Sequence, residues 1–239
     1  MKNQILKSCL IGAGTIVLFI IDVKLSFAQS DCTARAFGLP TALMAPAVVY
    51  DPQREMENFY LNTSGSRYLN DNWATGKIVT TDGDEYSNLN VKYDLWNDKV
   101  EVLASNRKVV PNNIEKLVIY TDLNKPLVFK SGFPSVAEYN NQTLYQVLTN
   151  GKASLLKKPA KKLQIENAYN NTKATQFNSL NDYYVYKDSQ MIKFSRKKSA
   201  IATILADKQN QVLAYIEKNS INLKDDTDLE KVIEFYNKL

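Results

Sequence analysis

The chain contains no histidine among its 239 residues. Histidine is the general base of Ser-His-Asp and Cys-His catalytic sites, a common metal ligand and the side chain that titrates near neutral pH. All chemistry that depends on an imidazole ring is therefore excluded.

Long hydrophobic runs are also missing, apart from one near the N-terminus. Residues 10–21 are mostly apolar, but the run is shorter than an ordinary transmembrane helix. Lys2 and Lys7 precede it, and Ser26 and Ala28 place small residues three and one positions before Gln29. This pattern predicts a signal peptide at residues 1–28. We expect an exported protein that is periplasmic, on the cell surface or secreted, with no transmembrane segment after cleavage.

Cysteine is scarce. Cys9 lies inside the predicted signal peptide, so Cys32 is the only cysteine of the mature chain and an internal disulfide is impossible there. A structural zinc site needs several Cys or His ligands and is excluded as well. We expect no cofactor and no metal.

The net charge of the chain is small. The signal segment contributes +2 of the net +5, which leaves +3 for the mature chain. Nucleic-acid binding proteins have dense basic surfaces, so we expect no nucleic-acid partner. An envelope component or another exported protein is the expected partner class.

For the remaining 211 residues we predict an irregular lead-in at 29–66 and a single domain at 67–239. The lead-in contains three prolines and lacks periodicity. Strand and turn signals occupy about residues 76–194, and helical periodicity follows at about 197–238. Strands followed by helices predict an α+β fold. We expect an antiparallel β meander, sandwich- or barrel-like, followed by two to three short helices.

Alternating apolar residues predict a β-hairpin across residues 89–104. A two-residue turn at Asn97-Asp98 would place Tyr93 opposite Val102 on an apolar face. The other face would place Asp94 opposite Glu101, where water screens the like charges.

Two further hairpins and a helix cap follow from local signals. Asn150-Gly151 predicts a type I′ turn between residues 144–148 and 153–156. A turn at Asp188-Ser189 would pair Val185 with Ile192 and Tyr183 with Phe194. Near the C-terminus, Thr227 and Glu230 predict a capping box before an apolar helical stripe made of Leu229, Val232, Ile233 and Tyr236.

Several short motifs also resemble those of a known group of proteins. They include residues 65–70, Lys92-Tyr93-Asp94, Tyr183-Tyr184 and Lys197-Lys198-Ser199. With these motifs, residues 65–239 resemble a family of uncharacterised exported proteins of Gram-negative bacteria. The resemblance implies export and a bacterial origin, and it assigns no catalytic or binding residue.

Two basic runs are candidate polyanion-binding sites. They contain Lys157, Lys158, Lys161 and Lys162, then Arg196, Lys197 and Lys198. Such runs attract anionic headgroups or glycans in a salt-sensitive manner, although they also occur as plain solvated surface.

Three functions are consistent with the sequence. The leading hypothesis is a non-catalytic exported protein with a structural or interaction role. The second is a module that binds a glycan, a peptide or a polyanion, which Trp73 or Trp96 would favour if exposed. The third is a carboxylate-based hydrolase, which needs a concave pocket with convergent Asp and Glu side chains.

Overall fold

The computed structural model describes residues 48–50, 63–121, 125–167 and 173–239. The predicted signal peptide and both cysteines lie outside the described residues. In the described part, the strands are β1 Val48–Tyr50, β2 Thr63–Ser64, β3 Ala74–Thr80, β4 Glu85–Asp94, β5 Lys99–Ala104, β6 Arg107–Val110, β7 Ile114–Tyr120, β8 Leu127–Lys130, β9 Tyr145–Thr149, β10 Ala153–Asn167, β11 Lys173–Lys187 and β12 Gln190–Phe194. The helices are α1 Lys198–Ile204, α2 Gln209–Lys218 and α3 Asp226–Asn237, with a 3₁₀ turn at Ala206–Lys208.

The strands form one sheet with the order β1-β6-β5-β4-β3-β7-β8-β9-β10-β11-β12. Neighbours along this path are antiparallel, whereas the short β2 pairs in parallel with β11. The path ends at β1 and β12, so the sheet is not closed into a barrel. The α+β prediction is therefore confirmed, without the barrel that we allowed for.

Two of these strands lie in the segment that we expected to be irregular. β1 pairs with the edge strand β6, and β2 pairs with β11. Strands of two or three residues contain too few positions to show an alternating pattern. They depend on distant partners, which the local sequence does not reveal.

The β4–β5 hairpin has the predicted buried face, but its register differs by two residues. Val91 pairs with Val102 and Tyr93 pairs with Val100, and all four side chains are buried. The turn spans residues 95–98 because the Asp94 carboxylate accepts hydrogen bonds from the backbone N–H groups of Trp96 and Asn97, each at 3.0 Å. A two-residue shift leaves every side chain on its predicted face, since side chains alternate with period two.

The predicted like-charge pair is wrong in both register and exposure. Asp94 faces Lys99 and Glu101 faces Lys92, and both carboxylates are buried. Water does not screen them. Instead, the Arg67 guanidinium lies 3.2 Å from Asp94 Oδ2 and 3.4 Å from Glu101 Oε1. The segment containing Arg67 covers this face, because backbone hydrogen bonds join residues 67–69 to the end of β4.

The β11–β12 hairpin is confirmed as predicted. Tyr183 pairs with Phe194 and Val185 pairs with Ile192. The turn residues Asp188 and Ser189 have φ values of 51° and 60°. Positive φ at both central positions is the requirement of a type I′ turn.

The predicted two-residue turn at Asn150-Gly151 is wrong. Thr149 pairs with Leu155, so the connection is longer. Asn237 of α3 explains the difference: its Oδ1 accepts from the backbone N–H of Ala153 at 2.8 Å, and its Nδ2 donates to the Ala153 carbonyl at 2.9 Å. Asn237 also packs against Gly151 so closely that a Cβ there would clash.

The core forms three clusters along the sheet, and two of them are large. One cluster lies between the helices and strands β9–β12, and it contains the predicted α3 stripe of Leu229, Val232, Ile233 and Tyr236. A second cluster lies among strands β3–β8 and contains Tyr93 and Phe129. The sheet curls between them, because the backbone N–H of Lys161 on β10 donates to the Leu95 carbonyl in the β4–β5 turn at 3.1 Å.

The N-cap of α3 is Asp225, and the predicted Thr227/Glu230 capping box is wrong. Asp225 Oδ1 accepts from the backbone N–H of Asp228 at 3.0 Å. Thr227 already lies inside the helix. Asp228 in turn accepts from the backbone N–H of Asn222 at 3.0 Å, which ties the preceding loop to the helix. Two carboxylates near the helix start compete better for backbone N–H groups than a single hydroxyl.

We expect Asp225→Ala to lower the free energy of unfolding by about 0.5–2 kcal/mol, the usual cost of losing an N-cap side chain. Thr227→Ala, two residues later, is the matched control and should change it by less than about 0.5 kcal/mol. Urea denaturation followed by circular dichroism measures both values. A larger loss for Thr227→Ala would contradict the assignment of the cap.

Candidate functional site

A groove of about 1320 Å³ opens between loops at one side of the sheet. Its walls are the β3–β4 turn at Thr81, the β4–β5 turn, the β6–β7 loop at residues 111–113, the β8–β9 loop at 131–144 and the start of the β9–β10 connection. Loops at neighbouring strand ends therefore meet at one place, although long stretches of sequence separate them. We call this cavity the groove.

Amide side chains form one part of the polar wall of the groove. The six are Asn112, Asn113, Asn140, Asn141, Gln142 and Asn150. Asparagine suits these loops because it tolerates a positive φ, which is 56° at Asn113, and because its side chain bonds to nearby backbone, as Asn140 does with the N–H of Gln142 at 2.9 Å. A side-chain amide carries both donors and an acceptor, so amide groups of the wall that are not bonded within the protein can bind ligand hydroxyl groups as donor or as acceptor.

Aromatic rings form another part of the lining. Phe133, Tyr139 and Tyr186 line the groove, and Tyr145 and Tyr184 lie behind them. The rings meet edge to face, with centroids 5.4 Å apart for Phe133 and Tyr186 and 5.3 Å apart for Tyr145 and Tyr184. Edge-to-face contacts are the favourable geometry for aromatic pairs, so they hold the exposed ring faces in fixed positions.

The hydroxyl groups of Tyr145 and Tyr184 are buried and lack a hydrogen-bond partner among the described residues. Burial raises the pKa of both, and the neighbouring Tyr139 and Glu138 raise it further. Burial and then the Glu138 charge raise the pKa of Tyr139 to about 12. All three hydroxyls therefore keep their protons at neutral pH and remain hydrogen-bond donors.

Lys158 lies beside the groove and is not an accessible cation. Its side chain is 2% exposed, and its Nζ lies 2.5 Å from Asp98 Oδ1 and 3.0 Å from the Tyr93 hydroxyl. Burial lowers the pKa of Lys158, while the Asp98 carboxylate acts in the opposite direction. The geometry thus removes Lys158 from the surface available to a polyanion.

The structure does not bring the other predicted basic residues into one patch with Lys158. Along β10, Lys157 and Lys161 lie on one face while Lys158 and Lys162 lie on the other. Lys157 Nζ is 2.7 Å from Asp226, Arg196 is 3.3 Å from the same carboxylate, and Lys198 is 3.6 Å from Glu217. Lys161 donates to Ser179. Lys162 and Lys197 are exposed, and polyanion binding by these residues stays a prediction.

Neither of the two tryptophans considered as binding residues lines the groove. Trp73 is half-buried beneath the Lys92 ammonium, 5.6 Å from its ring centroid. Trp96 is half-buried against Phe177, with centroids 5.6 Å apart. The sequence signal that does mark the groove is the run of amides at residues 140–142, which we did not predict to be a site.

Three carboxylates also line the groove, namely Asp98, Glu115 and Glu138. All three residues are exposed. Within the described residues, no group of acidic side chains is arranged to hold a metal ion.

The helices of the described residues are too short or too polar to cross a membrane.

No protein-family model, curated protein or solved structure matches this chain. The resemblance to exported proteins of Gram-negative bacteria therefore stays a prediction. The groove itself is the remaining basis for inferring a function.

Proposed function

We propose that the protein is an exported, non-catalytic interaction protein and that its groove binds a glycan of the bacterial envelope. The observation that supports this proposal is the combination of six amide side chains with a fixed aromatic lining in one groove. The predicted signal peptide supports the location outside the cytoplasm.

The size and chemistry of the groove suit a carbohydrate chain. Its volume of about 1320 Å³ exceeds the roughly 300–1,000 Å³ of typical small-molecule pockets, which favours an oligomer over a single small ligand. Sugar rings have hydroxyl groups at their edges and apolar C–H faces. Amides bind the hydroxyls as donor and acceptor, and the rings of Phe133, Tyr139 and Tyr186 offer apolar surface for the faces.

Binding is better supported than hydrolysis by the exposure of the carboxylates. The general acid of a glycoside hydrolase has to remain protonated, and an apolar enclosure is the usual means of achieving this. Asp98, Glu115 and Glu138 are all exposed, so the groove offers no such enclosure.

Isothermal titration with soluble oligosaccharides derived from peptidoglycan and from lipopolysaccharide cores tests this proposal. We expect saturable binding of at least one of them and a 2- to 13-fold weaker affinity, roughly, for Gln142→Ala, which removes about 0.5–1.5 kcal/mol of hydrogen bonding. Gln211→Ala, at an exposed position of α2, is the matched control and should bind as the parent does.

The outcomes separate the alternatives. Equal weakening by both glutamine variants would place the ligand elsewhere on the molecule. Absence of binding to every oligosaccharide would contradict the glycan proposal. New reducing ends after incubation with wild-type protein would support the hydrolase instead.

A further inference from the structure

Lys158 on β10 and Asp98 in the β4–β5 turn form a side-chain contact between these two parts of the sheet. Sixty positions separate them in sequence, yet Nζ and Oδ1 are 2.5 Å apart. The Tyr93 hydroxyl donates to the same oxygen, Asp98 Oδ1, at 2.5 Å. Only 2% of the Lys158 side chain is exposed, whereas 40% of the Asp98 side chain is.

We propose that Lys158 and Asp98 become joined by an intramolecular isopeptide bond, formed without an added enzyme or cofactor. The carboxyl carbon of Asp98 is one bond away from Oδ1, so Nζ lies within roughly 4 Å of it, close to the separation of about 3–3.5 Å at which reacting atoms are poised. Burial of the Lys158 side chain holds its ammonium group in this geometry.

The reaction is a balanced condensation. Lys158 first passes one proton to the Asp98 carboxylate, which yields a neutral amine and a carboxylic acid. The lone pair of Nζ then attacks the carboxyl carbon and forms the N–C bond. The nitrogen gives a second proton to the departing oxygen, the C–O bond breaks, and one water leaves. An ammonium and a carboxylate are thereby converted into an amide and water.

The surroundings favour a neutral amine on Lys158 and the negative charge that develops during its attack. Desolvation disfavours the charged ammonium, and burial indeed lowers the pKa of Lys158. The Tyr93 hydroxyl, whose pKa burial and Asp98 raise well above its ordinary value, keeps its proton and donates to Oδ1, where negative charge develops during the attack. Because Asp98 lines the groove, the released water has an exit into solvent.

The bond would act as a covalent staple across the curled sheet. It lies next to the backbone hydrogen bond between Lys161 and Leu95, which joins β10 to the same turn. It would also replace a buried ammonium by a neutral amide, which removes the cost of keeping that charge in the core. The only cysteines are Cys9 and Cys32, so no disulfide is available to either strand.

Mass spectrometry of the exported wild-type protein under denaturing conditions tests the proposal. We expect the mass of the wild-type chain to be lower by one water than its sequence requires. Proteolysis should yield one branched peptide in which the fragments containing Asp98 and Lys158 are joined. In Lys158→Arg and in Asp98→Ala the missing water should return, and the branched peptide should be absent.

Tyr93→Phe distinguishes assistance by the hydroxyl from simple proximity. It preserves the ring, and we expect a smaller linked fraction at a given time after purification. A folded wild-type chain with its full mass and two separate peptides would show that the contact is an ion pair only, and would overturn the proposal. This result does not depend on whether any variant folds, and it is independent of glycan binding.

Discussion

Tyr93→Asp should unfold the domain, whereas Asn90→Asp, three residues earlier on the same strand, should leave its stability nearly unchanged. The Tyr93 side chain is 1% exposed and packs edge to face on Phe129, with centroids 5.2 Å apart. Removing a large aromatic side chain from a core costs about 3–5 kcal/mol. A carboxylate buried in its place, beside Asp98, adds several kcal/mol more. The sum is comparable to a total stability of about 5–15 kcal/mol.

The measurement is thermal unfolding by circular dichroism for the two aspartate variants and Tyr93→Phe. Asn90 is exposed, so its variant adds a charge that water solvates, and a change below about 0.5 kcal/mol is expected. Tyr93→Phe keeps the ring and loses only the hydrogen bonds to Asp98 and Lys158, so its melting temperature should lie between the other two. Equal shifts for Tyr93→Asp and Asn90→Asp would mean that the assignment of the buried face is wrong.

The predictions of secondary structure were confirmed where neighbouring residues alone determine the local geometry and the buried face. In β11–β12 the turn residues Asp188 and Ser189 both adopt positive φ, and the strands pair as the apolar alternation requires. In α3 the apolar stripe recurs at helical spacing and is buried. Each of these elements specifies its own geometry within about fifteen residues, so no distant partner has to be known.

The prediction failed where a distant or competing side chain determines the geometry. Asp94 widens the β4–β5 turn by binding two backbone N–H groups, which alternation alone does not reveal. Asn237 reshapes the β9–β10 connection from 84 residues away. Arg67 makes burial of Asp94 and Glu101 tolerable, although hydrophobic patterning places both on a solvated face.

The groove was not predictable from spacing along the chain. Its walls come from loops between five different pairs of strands, and they meet only because the sheet brings those strand ends together. We predicted polyanion-binding sites from the two basic runs because their charges are close together in the sequence. Strand alternation, however, places Lys157 and Lys158 on opposite faces of the sheet. Aromatic rings and amides in loops are common in any chain, so they become a site only through their position in the fold.

Truncation after Lys224, which removes α3, should abolish cooperative folding. The helix buries Leu229, Val232, Ile233 and Tyr236 in the cluster against β9–β12. Each such side chain contributes about 1.5–3 kcal/mol by burial, so the four together approach the whole stability of a domain. The truncation also removes the two Asn237 hydrogen bonds to Ala153 and leaves the Tyr183 hydroxyl without its 2.6 Å partner Asp226.

Near-ultraviolet circular dichroism and thermal melting of the truncated chain measure this effect. We expect no sharp transition and loss of the near-ultraviolet signal, because an exposed apolar sheet face cannot keep fixed side-chain packing. Truncation after Asn237 removes only Lys238 and Leu239 and is the matched control, with a near-parental melting temperature.

Point variants within the helix test the same packing. Ile233→Ala should lower the free energy of unfolding by about 2–5 kcal/mol, whereas Glu234→Ala, at an exposed position, should leave it nearly unchanged. An unchanged transition after removal of α3 would contradict its place in the core. It would favour a detachable helix with a role in binding a partner.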